Sequence, residues 1–233
     1  MSTVAETTFD LAQTPLRALN QHLHDLAGTS GGHIRVTNPS GAHAVACGID
    51  AALEVDIDGH VGYYCAGMNK GATVRVHGNA GSGLAENMMS GLVVVDGSAS
   101  QYCAATAHGG LVVVHGDTSL RCGISLKGGE IVVRGSVGGN SMFMAQAGAL
   151  VVCGDAGEAL GDSLYEARIY VRGSVASLGA DCIEKEMRDE HLAQVADLLE
   201  RAGIGEEVDA GQFRRYGSAR DLYTFKIDNA GAY

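Results

Sequence analysis

The sequence predicts an all-β fold, a right-handed parallel β-helix of about seven to eight turns, and three observations carry that prediction. Seven glycines (Gly59, Gly78, Gly97, Gly116, Gly135, Gly154 and Gly173) recur every 19 residues without insertion or deletion. Each ends a short apolar run such as VRVHG, VVVDG or IYVRG. The chain holds 34 glycines but only 2 prolines, and its glycine accompanies regular Val/Ile runs, which excludes collagen and linker compositions. A fixed period near 20 residues marks a coiled repeat in which each turn buries its apolar side against the next.

Residues 1–32 read as an N-terminal helix and cap. Thr14 is placed as the N-cap and Pro15 as the first helical residue, with Leu16, Leu19, Leu23 and Leu26 on one face and Gly28 as the stop. Residues 33–181 read as the β-helix, beginning with an irregularly spaced rung at Ile34–Asn38. Four residues before each period glycine stand Val55, Val74, Val93, Val112, Ile131, Leu150 and Ile169, and two before it stand Ile57, Val76, Val95, Val114, Val133, Val152 and Val171. Two apolar columns two residues apart form the inward face of a strand. Small residues at Gly62, Gly81, Ser100, Ser119, Gly138, Gly157 and Ala176, and again at Ala72, Gly91, Gly110, Gly129, Gly148 and Ala167, mark tight corners and predict two or three strands per turn. The right hand follows from the handedness of parallel crossovers, and a 19-residue turn does not fit the hexapeptide rungs of left-handed β-helices. Residues 182–233 read as a C-terminal helix over 182–203 followed by an aromatic tail.

One column breaks the alternation. On the outward face, Val94, Val113, Val132, Val151 and Tyr170 stack an apolar stripe where solvent is expected, so it is a candidate docking stripe for a terminal segment or another protein.

The net charge of -11 excludes a nucleic-acid surface built on clustered Lys and Arg. No run approaches the roughly 18 apolar residues of a membrane helix, and the N-terminus lacks the basic start and apolar core of a signal peptide. Six cysteines without a CxxC pair then point to reduced thiols in the cytoplasm. The column Asp58, His77, Asp96, His115, Arg134 is the nearest approach to a metal site, but alternating charge on neighbouring strands accounts for it and no metal is assigned. Cys65, Cys103 and Cys122 share a column with Leu84 and Leu160, which reads as core packing. Gly78–Gly83 is a corner rather than a phosphate cradle, because its glycines lead into further strands and not a helix. His22 and His24 have no acid/base partner at useful spacing. No catalytic, cofactor-binding or metal residue is assigned on this chain.

The repeats LVVVDGSASQYCAATAHGG, LVVVHGDTSLRCGISLKGG and EIVVRGSVGGNSMFMAQAG resemble the GXGXG domain at the C-terminus of the glutamate synthase large subunit, over residues 33–180. The tail FRRYGSARDLYTFKIDNAGAY is similar to that of the stand-alone GXGXG subunits of N-methylglutamate synthase, a methylamine–glutamate N-methyltransferase of methylamine metabolism. The resemblance implies a noncatalytic subunit of a hetero-oligomer. Its implied partners are a class II amidotransferase-like subunit, which hydrolyses glutamine with an N-terminal cysteine, and an FMN-dependent synthase-domain subunit that also carries an iron–sulfur cluster. Ser2 follows Met1, so the cysteine nucleophile has no counterpart here. A second resemblance, to the β-helix subunit of formylmethanofuran dehydrogenase and of the related formyltransferase/hydrolase complex, implies a noncatalytic role as well. A β-helix enzyme acting on polysaccharide would need clustered acids on the flank of the rod, which the columns do not supply.

Overall fold

A computed structural model describes residues 6–220; residues 1–5 and the last part of the tail, 221–233, lie outside the described residues. Strands β1 (Glu6–Asp10), β2 (Ser30–Thr37), β3 (Ala52–Asp58), β4 (Thr73–Val76), β5 (Leu92–Val95), β6 (Leu111–Val114), β7 (Lys127–Val133), β8 (Ala147–Val152) and β9 (Arg168–Val171) pair in chain order, all parallel. The register follows the repeat: Val55, Val74, Val93, Val112, Ile131, Leu150 and Ile169 are consecutive partners. Both inward columns are buried and form one continuous core down the rod. The irregular rung at Ile34 is β2, where Ile34 pairs with Val55 beyond a register shift between Ser30 and His33.

The period glycines after Gly59 have no positive φ, so conformational freedom is not their reason. Their reason is close approach. The N–H of Gly116 donates to the carbonyl of Gly97 at 2.8 Å, and the same bond links Gly97 to Gly78, Gly135 to Gly116, Gly154 to Gly135 and Gly173 to Gly154. A Cβ at any of these positions would run into the backbone of the glycine one rung below. The next residue in each turn builds a second ladder, from side chain to backbone. Asn79 Oδ1 accepts from the Ser98 N–H, Ser98 Oγ from Asp117, Asp117 Oδ1 from Ser136, Ser136 Oγ from Asp155 and Asp155 Oδ1 from Ser174. Bonds from the backbone and hydroxyl of Ser174 hold the Asp155 carboxyl below its ordinary range. This column of Asn, Ser and Asp was visible in the sequence, but without the stack it reads only as turn chemistry.

The expectation of two or three strands per turn is corrected. Each turn has one strand and, in most turns, one isolated bridge, such as Val61 to Ala80 to Ala99 to Thr118. The remaining face is a ladder of turns in which alternate residues are left-handed, for example Tyr102, Ala104 and Thr106 at φ 62, 54 and 55°. Alternation aims successive N–H groups at opposite neighbours. Tyr102 and Thr106 donate forward to Leu120 and Ile124, whereas Ala104 donates back to Leu84. Left-handed backbone costs about 1–2 kcal/mol per non-glycine residue, and here the hydrogen bonds to both neighbouring rungs and a tight curve round the core offset it.

The ends also differ from expectation. The N-terminal helix α1 runs Leu16–Asp25 with Pro15 at the N-cap, so Thr14 makes no cap. The helix covers the first rung with Leu19 and Leu23, both fully buried, and β1 extends the sheet one strand beyond β2. At the other end the expected helix over 182–203 divides. Cys182–Lys185 forms strand β10, and helix α2 occupies Asp189–Arg201. After a 3₁₀ turn at Ala210–Gln212, the tail returns as β11 (Arg214–Ser218), which pairs antiparallel with both β9 and β10. The antiparallel pair closes the parallel stack, protecting the edge that an open solenoid end would leave unpaired. Among the described residues, no helix is long and apolar enough to cross a membrane.

Candidate docking surfaces

The apolar stripe is covered by the chain itself. Val113, Val132, Val151 and Tyr170 are all buried, forming a second core with Val195, Leu198 and Leu199 of α2 and with Ile204, Val208 and Phe213 beyond it. Polar contacts fix the register of that cover. Tyr170 Oη donates to Gln194 Oε1 at 2.7 Å, Arg201 pairs with Glu130 at 2.8 Å, and Arg134 pairs with Glu207. Val94, at the end of the stripe, is half-buried and packs against the edge of this second core. The stripe is therefore an internal interface, and a partner surface has to be sought elsewhere on the rod.

The polar column does not form a metal site either. His77 Nδ1 lies 2.8 Å from Asp96 Oδ2 and its Nε2 lies 2.8 Å from Asp56 Oδ1, while His33 Nε2 sits 2.7 Å from the other Asp56 oxygen. Asp58, which the column places beside His77, pairs with Arg35 instead. With a carboxylate at each nitrogen, the His77 ring donates from both, and this favours the imidazolium. Its pKa is raised from 6.5, first by Asp96 and then by Asp56. Burial would raise the Asp56 carboxyl, but the bonds from His33 and His77 overcome burial and lower it. No group of three or more His, Cys, Asp or Glu among the described residues could hold a metal ion.

This pair has a pH signature. Stabilisation from a raised His77 is complete below its unfolded value of 6.5 and is lost as pH rises through the higher folded value; that from Asp56 is lost as pH falls through a value below 3.8. We expect urea midpoints of the native chain to fall modestly from pH 5.5 to pH 8.5, and His77→Gln to flatten that slope. The effect is small because the His77 side chain is 41% exposed.

All six cysteines are free thiols. Cys103 and Cys122 occupy adjacent rungs in the core. The Cys103 thiol is held well above its ordinary range by its hydrogen bond with Cys122 and by burial, and burial pushes Cys65 up to about 12. A buried, protonated thiol is a packing group rather than a nucleophile.

A different surface stands out. Among the described residues, the exposed large apolar side chains are Tyr63, Met68, Met89, Leu120, Met144, Tyr165, Leu178 and Ile183. All but Ile183 follow a period glycine and precede the next strand, so they stand in the turn segments, and Ile183 lies within β10. Sequence columns did not reveal this face because its positions vary from turn to turn: Tyr63 and Leu120 share a column with Ser82, Gln101, Gly139, Glu158 and Ser177.

No protein-family model matches the chain. Protein GlxC of Rhizobium meliloti (strain 1021) is 64% identical over 225 residues, which are 96% of this chain and 98% of that protein. With identity at that level over almost the whole of both chains, the chain belongs to the family of Protein GlxC.

Proposed function

We propose that this chain is a noncatalytic structural subunit of a glutamate-synthase-like complex, of the N-methylglutamate synthase type. In that reading it bridges a class II amidotransferase-type subunit and a synthase subunit carrying FMN and an iron–sulfur cluster. The observation that carries the proposal is the segregation of exposed apolar side chains. One side of the rod is sealed by its own α2, and the large exposed hydrophobics collect on the turn face and at the β10 end. A continuous ladder of interlocked rungs makes that face a stiff platform, suited to holding two catalytic subunits at a fixed separation. The resemblance of the repeats to the glutamate synthase C-terminal domain supplies the class of partner. The match to GlxC, 64% identical over 225 residues, supports a role shared with that protein.

Native purification through a tag on this chain tests the proposal. It should bring down a flavoprotein with an iron–sulfur chromophore and a second chain whose mature N-terminus is cysteine. Recovery of formyl-transfer subunits in their place would move the chain to the formylmethanofuran-type reading. A homogeneous chain recovered alone would overturn both. Leu120→Glu, an exposed change on the turn face, should reduce the yield of partners while leaving the melting temperature of the isolated chain unchanged.

A further inference from the structure

The antiparallel cap carries an electrostatic conflict. Lys185 on β10 is the direct partner of Arg215 on β11, and Arg215 is in turn the partner of Tyr170 on β9. Like charges opposite one another on neighbouring strands are destabilising. Arg168, two residues before Tyr170, points to the same side of the sheet. These three side chains line a pocket of about 540 Å³, whose rim includes Arg188 and His191 from the start of α2, with Gly217 and Arg220 from the β11 end.

Arg168, Lys185, Arg188 and Arg215 line the pocket together with Glu166, Glu186 and Glu190. Glu186 lies 3.4 Å from Arg188 and Glu190 lies 3.4 Å from His191, while the acid whose charge favours the Lys185 ammonium is Asp181. Burial and then the nearby Arg215 lower the Lys185 pKa, and burial also lowers that of Arg215. His191 is pushed toward its neutral form by burial and by Arg215, so it adds no charge. In a chain of net charge -11, cations gathered at one end against their own repulsion need a compensating purpose.

We propose that the pocket between β9, β10, β11 and the start of α2 binds a small anion, of the phosphate or dicarboxylate class, through Arg168, Lys185 and Arg215. An anion seated there turns the Lys185–Arg215 repulsion into a shared attraction. The guanidinium groups offer forked donors to paired oxygens, and the lysine offers a point charge between them. Its three cationic side chains lie on β9, β10 and β11 rather than in the turns, so the site stands or falls independently of the proposed subunit role.

Thermal melts of the full chain, with inorganic phosphate and with succinate as probes, test the proposal against sodium chloride of equal ionic strength. At ten times its Kd, a bound probe should raise Tm by roughly 3–6 °C over the chloride control. Comparing the two probes distinguishes a phosphate site from a dicarboxylate site. Lys185→Met should abolish the rise, and without probe it should melt no lower than the native chain because a repulsion has been removed. If Lys185→Met does not fold, Arg188→Gln on the exposed rim should weaken the probe's Kd at least fivefold. No rise with either probe, an unchanged rise in the variant that folds, or a lower probe-free Tm for Lys185→Met would each overturn the proposal.

Discussion

Gly116→Ala is expected to lower stability by about 3 kcal/mol, a fall in Tm of roughly 6–12 °C for a chain of this size. A single methyl group has this effect because of where it would go. The new Cβ would stand 2.8 Å from the Gly97 carbonyl oxygen and 2.9 Å from its carbon, and would press into Ser98 Oγ as well. Ser98 can rotate only by giving up its bond from the Asp117 N–H, and the Gly97 carbonyl cannot move without stretching the bond it accepts from Gly116. Neighbouring rungs would have to separate, and the damage passes along both ladders. The comparison that isolates this cause is Gly203→Ala, where φ is +75° but nothing lies within 4 Å of the added Cβ. That change should cost only about 1 kcal/mol, from backbone strain alone. Equilibrium denaturation of the two variants checks the pair. Equal losses would mean that the period glycines serve conformation and not contact.

That contrast shows what the sequence could convey and what it could not. Fixed spacing revealed the stack, its inward columns and its register, because a parallel repeat places equivalent residues directly over one another. Val55 through Ile169 could be read as partners before any strand was seen. The reason for the glycines was hidden, since a residue required by left-handed backbone and one required by close approach are both written Gly. The turn ladder was hidden for a related reason. Its left-handed positions are filled by Tyr102, Ala104, Thr106, Arg121 and Asn140, residues with no shared turn signature. At the C-terminal end the periodic signal stops, and two competing uses of Cys182–Lys185 look alike in sequence. Pairing with β11, more than thirty residues away, decides for strand over helix, and local propensity carries no information about such a partner. The cation pocket was illegible for the same reason. Arg168, Lys185 and Arg215 are scattered along the chain, and only the β9–β11–β10 pairing brings them together.

Val132→Asp is expected to detach α2 while leaving the rod standing. Val132 is fully buried in the second core, under α2 and its following segment, yet it points away from the inward columns that hold the turns together. A carboxylate there loses its water without gaining a partner, a penalty of about 3–5 kcal/mol while the helix stays docked. Undocking restores hydration and exposes only the second core, whereas unfolding the rod would sacrifice the continuous first core and every inter-rung ladder. Local release is therefore the less costly response. Hydrogen exchange should show protection lost across Asp189–Arg201 and retained in β4–β8, and proteolysis should cut first between Lys185 and Arg214. Because β11 follows α2 and pairs with β9, some loosening of the antiparallel cap should accompany release, with no change in the strands at the N-terminal end. Val94→Asp serves as the internal control: in the same column but only half-buried, it should tolerate the charge with much less loss of protection in α2. If Val132→Asp melts the whole chain in one transition with uniform exchange, the two cores form a single cooperative unit, and the stripe supports the rod itself rather than serving only as a seat for its cover.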